Sequence, residues 1–234
     1  MPNALITGGS AGLGRALAVE LTRRGWGLVL DGRDRDRLDA VSRELSSRTA
    51  IRTVSGSVAD PGHRRSLFEA AQEVGGIDLL VNNASTLGPS PMPDLGTLAG
   101  ADIEAIYAVN VFAPLALCQA FADSLEARGG AIINITSDAG VGAYPGWGGY
   151  GSSKAALELL SAVLAAERPG LRVYWVDPGD MRTQMHQDAF PGEDISDRPL
   201  PEVAVPGFID LIEGRAPSGR YLAQRAGADE GGSR

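Results

Sequence analysis

The tightest constraint on how this chain folds lies near its start. Residues 4–7 (Ala-Leu-Ile-Thr) form a short apolar run, the pattern of a strand buried in a parallel sheet. They lead into Gly8, Gly12 and Gly14, spaced G-x-x-x-G-x-G, and then into a helical pattern carried by Leu13, Leu17 and Leu21 that ends at Gly25. Strand, glycine turn and helix in that order bring a bare backbone to the positive end of a helix dipole, where a pyrophosphate can be held. The plainer reading is a tight turn with a helix cap. The spacing differs from the commoner G-x-G-x-x-G dinucleotide fingerprint.

The same alternation continues along the chain. Strands are predicted at 27–31, 51–54, 77–81, 131–136, 171–176 and 219–222. Helices are predicted over about 34–46, from Asp60 as N-cap with Pro61 behind it, over 100–128, over 150–168 and over 201–214. Alternation throughout, without a repeat or a second composition, predicts one α/β domain over residues 1–223: a Rossmann-type, doubly wound parallel sheet of about seven strands with helices on both faces. Residues 184–201, rich in Pro, Asp and Gly, have no sustained period, and 184–214 reads as a loop or lid region over a substrate pocket. Residues 224–234 read as a disordered tail.

Composition narrows the function. The net charge of −8 argues against non-specific binding to nucleic acid or anionic membranes. No apolar run approaches 18 residues and no signal peptide is recognised, so a cytoplasmic protein is expected. A single cysteine, Cys118, excludes an internal disulfide, and two histidines without clustered ligands argue against a metal site.

The chemistry concentrates at Tyr150-Gly-Ser-Ser-Lys154. On a helix these two side chains share a face, so a fixed ammonium can favour the phenolate and pull the tyrosine towards neutrality. A surface tyrosine beside a solvated lysine is the bland alternative. At the end of the second strand Asp31 and Arg33 compete for the adenosine ribose: an acid there accepts from its hydroxyls, an arginine accommodates a 2′-phosphate. Asn110 sits in an apolar helical pattern and needs partners, as a satisfied core residue or a helix-bending element. Ser137 stands at the C-terminal end of the fifth strand, where parallel sheets bind ligands.

Taken in order, Thr7-Gly8-x-x-x-Gly12-x-Gly14, Asn82-Asn83-Ala84, Asn110, Ser137, Tyr150-x-x-x-Lys154 and Pro178-Gly179 resemble the short-chain dehydrogenase/reductase family in its short, single-domain branch. The resemblance covers residues 3–183 closely and 184–223 loosely. It implies hydride transfer between a nicotinamide cofactor and a carbonyl/alcohol pair. Tyr150 would be the general acid or base, and Lys154 would lower its pKa and bind the nicotinamide ribose. Ser137 would hold the substrate oxygen, and Asn110 would position a water in a proton relay. The cofactor would lie along Thr7, Gly8, Ser10, Gly12, Leu13, Gly14, Ser57, Val58, Asn83 and Ala84, with Pro178, Gly179 and Thr183 near the nicotinamide. The family's NAD-selecting acid aligns with Gly32 and its NADP-selecting base with Arg33, so the resemblance implies NADP(H) over NAD(H).

Four departures stand out: Ser85 for a glycine, Ser57 for an aspartate against the adenine, a short C-terminal region, and Asp138 for a small residue. Asp138 either shapes the substrate pocket or caps a turn. The long helices at 100–128 and 150–168 are expected to form a homodimer, with a tetramer less favoured. A non-catalytic dinucleotide-binding regulator is the rival reading.

Overall fold

The computed structural model describes residues 1–46 and 49–224. The expected tail, apart from Gln224, therefore lies outside the described residues. Seven strands form one sheet: β1 (Asn3–Ile6), β2 (Gly27–Gly32), β3 (Ile51–Ser55), β4 (Leu79–Asn82), β5 (Ala131–Ile135), β6 (Arg172–Asp177) and β7 (Gly219–Leu222). They run parallel in the order β3-β2-β1-β4-β5-β6-β7. The order reverses direction between β1 and β4, and a crevice opens there at the carboxyl ends of the strands.

Alternating strand residues feed two cores. Ala4, Ile6, Leu28, Leu30, Val81 and Ile133 point to one face, where α1 (Gly12–Arg23), α2 (Arg35–Leu45) and α8 (Val205–Gly214) cover them. Leu5, Val29, Leu80 and Ile132 point to the other, under α3 (Pro61–Glu73), α5 (Ala113–Ala127) and α6 (Gly148–Glu167). Each fully buried Leu, Ile or Phe contributes about 1.5–3 kcal/mol of transfer free energy. This two-sided burial explains why the strands read as continuous apolar runs.

Acidic side chains cap two helices, the first of them as expected. Asp60 caps α3, accepting from the Gly62 N–H at 2.8 Å, with Pro61 behind it. Asp34 caps α2 through the Arg37 N–H. By contrast, α1 has Ala11 at its N-cap position and no side-chain cap, so its first N–H groups take no side-chain partner there.

Two expectations need correction. The helix predicted over 100–128 is α4 (Gly100–Tyr107) and α5 joined by a π-helical turn, Ala108–Phe112. Asn110 lies in that turn, and satisfying its amide explains the break. The whole stretch Gly100–Ala127 is long and apolar enough to cross a membrane, and half of its most apolar window is buried within the fold. Second, the region 184–201 is not wholly irregular, because Thr183 caps a short helix, α7 (Gln184–Ala189). Phe112, Leu159 and Val163, on the helices expected to dimerise, are exposed.

Candidate active site

The crevice is a cleft of about 770 Å³ running from the end of β2, past the glycine turn, to the end of β6. Sixteen residues singled out from the sequence line it: Gly8, Ser10, Gly12, Leu13, Asp31, Arg33, Ser57, Val58, Asn83, Ala84, Ser137, Tyr150, Lys154, Pro178, Gly179 and Thr183. That one cavity gathers residues from both halves of the sheet is the main result of the fold for function.

Three expected residues do not line it. Thr7 is buried, and its hydroxyl accepts from the Asn83 and Ala84 N–H groups at 2.9 Å each, which joins β1 to the β4 loop. Gly14 is a packing position: a Cβ there would stand 2.3 Å from the Gly8 carbonyl oxygen. Gly8 has φ of +65°, so the turn needs a residue free of the left-handed penalty. Asn110 is fully buried, and its amide is committed to structure. Its Oδ1 accepts from the Thr86 N–H at 2.9 Å and from Ser85 at 3.1 Å. Its Nδ2 donates to the Thr86 carbonyl and to Ser153, each at 2.9 Å. The side chain therefore fastens the β4 loop to the π turn and α6.

At the catalytic end, α6 presents Tyr150 and Lys154 one turn apart. Lys154 is 2% exposed; its Nζ donates to the Ile135 carbonyl at 2.8 Å and lies 5.4 Å from the centre of the Tyr150 ring. Burial pulls the Lys154 ammonium down to about 8. Burial pushes the Tyr150 phenol up, with the Ser137 and Ser85 hydroxyls opposing and the Asp177 and Asp138 carboxylates adding to the rise. The net direction for Tyr150 is therefore upward, opposite to the fall expected from a neighbouring ammonium alone. The ammonium sits over the ring face, and loss of solvent is the larger effect on both groups.

Ser137 accepts from the Ala139 N–H at 3.2 Å, capping a short 3-10 turn, and donates to Asp138 Oδ1 at 3.0 Å. Asp138 Oδ2 accepts from the Tyr144 hydroxyl at 3.1 Å. The cap is thus Ser137, and Asp138, which also lines the cleft, links Ser137 to Tyr144. Trp147 packs edge-on to Tyr150 with ring centres 5.8 Å apart and meets Phe190 at 5.9 Å. Trp147, Met181, Met185 and His186 line the cleft.

At the far end the two rivals differ in their surroundings. Asp31 is 2% exposed and both oxygens are engaged: Oδ1 accepts from the Gly8 N–H at 2.6 Å, and Oδ2 lies 3.0 Å from His63 Nε2. Arg33 is exposed at the cleft and has no ion-pair partner among the described residues. Arg37 also lines this end. It went unnoticed in the sequence because its charged helix reads as a solvated face. Ser85, recognised only as a departure, lies beside both Asn110 and the Tyr150 phenol. Among the described residues, no group of three or more His, Cys, Asp or Glu side chains is placed to hold a metal.

A bound dinucleotide fits this cleft on structural grounds. The uncapped α1 N-terminus and the bare turn before it suit a pyrophosphate, and the exposed Arg33 marks one end while Tyr150 and Lys154 mark the other. Comparison with known proteins agrees. The family model described as short chain dehydrogenase matches residues 2–194. Sepiapterin reductase from Meriones unguiculatus is 33% identical over 198 residues, covering 78% of this chain and 75% of that one. Among solved structures, a short chain dehydrogenase from Pseudomonas syringae superposes with a TM-score of 0.89 at 30% identity, covering 95% of this chain and 94% of that one. An alcohol dehydrogenase from the archaeon Thermococcus sibiricus, complexed with 5-hydroxy-NADP, superposes with a TM-score of 0.85 at 27% identity, covering 95% of each chain.

Proposed function

The chain belongs to the short-chain dehydrogenase/reductase family, and we propose that it reduces a small carbonyl substrate with NADPH, using Tyr150 as the proton donor. The observation that carries this reading is the buried Tyr150–Lys154 contact, opening on the same cleft as Ser137. A protein that only sensed a dinucleotide would have no use for that contact.

Gly8, Ser10, Gly12 and Leu13 would hold the pyrophosphate, Arg33 with Arg37 the 2′-phosphate, and Lys154, Pro178 and Gly179 the nicotinamide end. The nicotinamide supplies the hydride when bound. As negative charge grows on the substrate oxygen, the Ser137 hydroxyl turns from Asp138 to that oxygen, and the Tyr150 hydroxyl hands over its proton. The Lys154 ammonium beside the ring then stabilises the phenolate left behind. Trp147, Met185 and His186 would form the substrate wall.

Three features support NADP(H). The exposed Arg33 is without an ion-pair partner among the described residues, Gly32 offers no acid, and the similar Thermococcus enzyme holds a 5-hydroxy-NADP. In the test, Tyr150→Phe should keep the NADPH affinity of the native protein while kcat for a reducible carbonyl falls by at least about 100-fold. Turnover within a few-fold of native would overturn the assigned role of Tyr150.

A further inference from the structure

Asp31 is a carboxylate on the wall of the cofactor cleft, two residues from the arginine read here as the 2′-phosphate ligand. Left bare, it would place a negative charge close to where a second negative charge must bind, and it would offer the ribose an acceptor. Like charges brought together in a partly desolvated site cost appreciable affinity. The structure answers this with a residue from behind the wall. His63, in the first turn of α3, is 7% exposed and lies outside the cleft lining, and its Nε2 stands 3.0 Å from Asp31 Oδ2. Towards a carboxylate, which only accepts, that nitrogen must be the donor. The other oxygen takes the Gly8 N–H at 2.6 Å, so donors meet the carboxylate on both sides.

The placing of His63 depends on its surroundings. The N-cap Asp60 and Pro61 start α3 at a fixed point, three residues before the ring. Gly56 leaves the space the ring occupies, since a Cβ at that position would stand 2.4 Å from His63 Nδ1. The strand-end glycine and the helix start thus converge on one contact, with Asp31 Oδ2.

We propose that His63 is a specificity-determining residue: by holding Asp31 back from the ribose it leaves Arg33 to select NADP(H) over NAD(H). The proposal rests on the cofactor reading above and concerns a residue that touches no cofactor. His63 acts through Asp31 and is a positioning residue.

The experiment measures dissociation constants for NADPH and NADH in parallel, on variants shown by thermal melting to be folded. In His63→Leu, NADPH binding should weaken at least about tenfold, equivalent to about 1.4 kcal/mol, while NADH binding is unchanged or tighter. Adding Asp31→Asn to that variant should restore NADPH affinity to within a few-fold of native, because the exposed charge is gone. A merely structural role for His63 would weaken both cofactors together and would not be rescued, and that result overturns the proposal. Should His63→Leu fail to fold, Asp31→Asn alone decides. A charge already held by His63 predicts a change in NADPH affinity below threefold, and a tenfold gain shows that Asp31 was never screened. Failure of the native protein to bind either cofactor would instead remove the reading beneath, a separate outcome.

Discussion

Lys154 carries a pH signature that bears on both stability and catalysis. Its folded value of about 8 lies below the ordinary 10.5, so between those values the unfolded chain holds a proton that the folded chain has released. The contribution of this group to stability therefore rises with pH across that window. Its contribution to catalysis runs the other way, since only the ammonium can steady the phenolate. We expect kcat/KM for carbonyl reduction to be level below pH 8 and to fall above it, measured with cofactor saturating; a profile that rises through pH 8 would contradict the role given to Lys154. Tyr150, Lys154 and Ser137 were legible in the sequence because each motif sits at a strand end or on a helix face. The direction of the Tyr150 shift was not legible, because it depends on how completely the fold excludes water. Nor was the bond between His63 and Asp31, which joins residues 32 apart.

At the scale of elements, the π turn at Ala108–Phe112 is the feature most tied to the site. It sets Asn110 where four hydrogen bonds reach the β4 loop, Ser85 and Ser153 on α6. The turn thereby locks the loop beside Tyr150 to the helix that carries Tyr150. Asn110→Ala would leave the Thr86 N–H and carbonyl without their partners. We expect a loss of about 1–3 kcal/mol in urea unfolding, from half-buried polar groups left without their partners. A loss below 0.5 kcal/mol would show that the turn does not depend on this amide. The composition of residues 100–128 promises an unbroken helix, and only the single polar residue hints at the interruption. The short helix α7 was equally hidden, since six residues are too few to display a period.

Across the whole molecule, the strand order explains why distant motifs form one site. β1 at the centre brings the glycine turn beside β4, while β5 and β6 carry Ser137 and the Pro178-Gly179 turn to the same edge. Seven strands and their parallel sense were legible from the alternation of apolar runs and helical periods. The depth of the cleft was not, because it arises from contacts between segments far apart in the chain; Trp147, Met181, Met185 and His186 could be named from the sequence as pocket wall or as core, and only the fold places them on the cleft. The most direct test of the account is titration of the purified protein with NADPH and NADH in parallel, followed by fluorescence. The account predicts binding of both in the cleft, with NADPH tighter by at least about tenfold, a difference of about 1.4 kcal/mol. Equal or tighter binding of NADH would contradict the role of Arg33, and binding of neither would contradict the oxidoreductase reading itself.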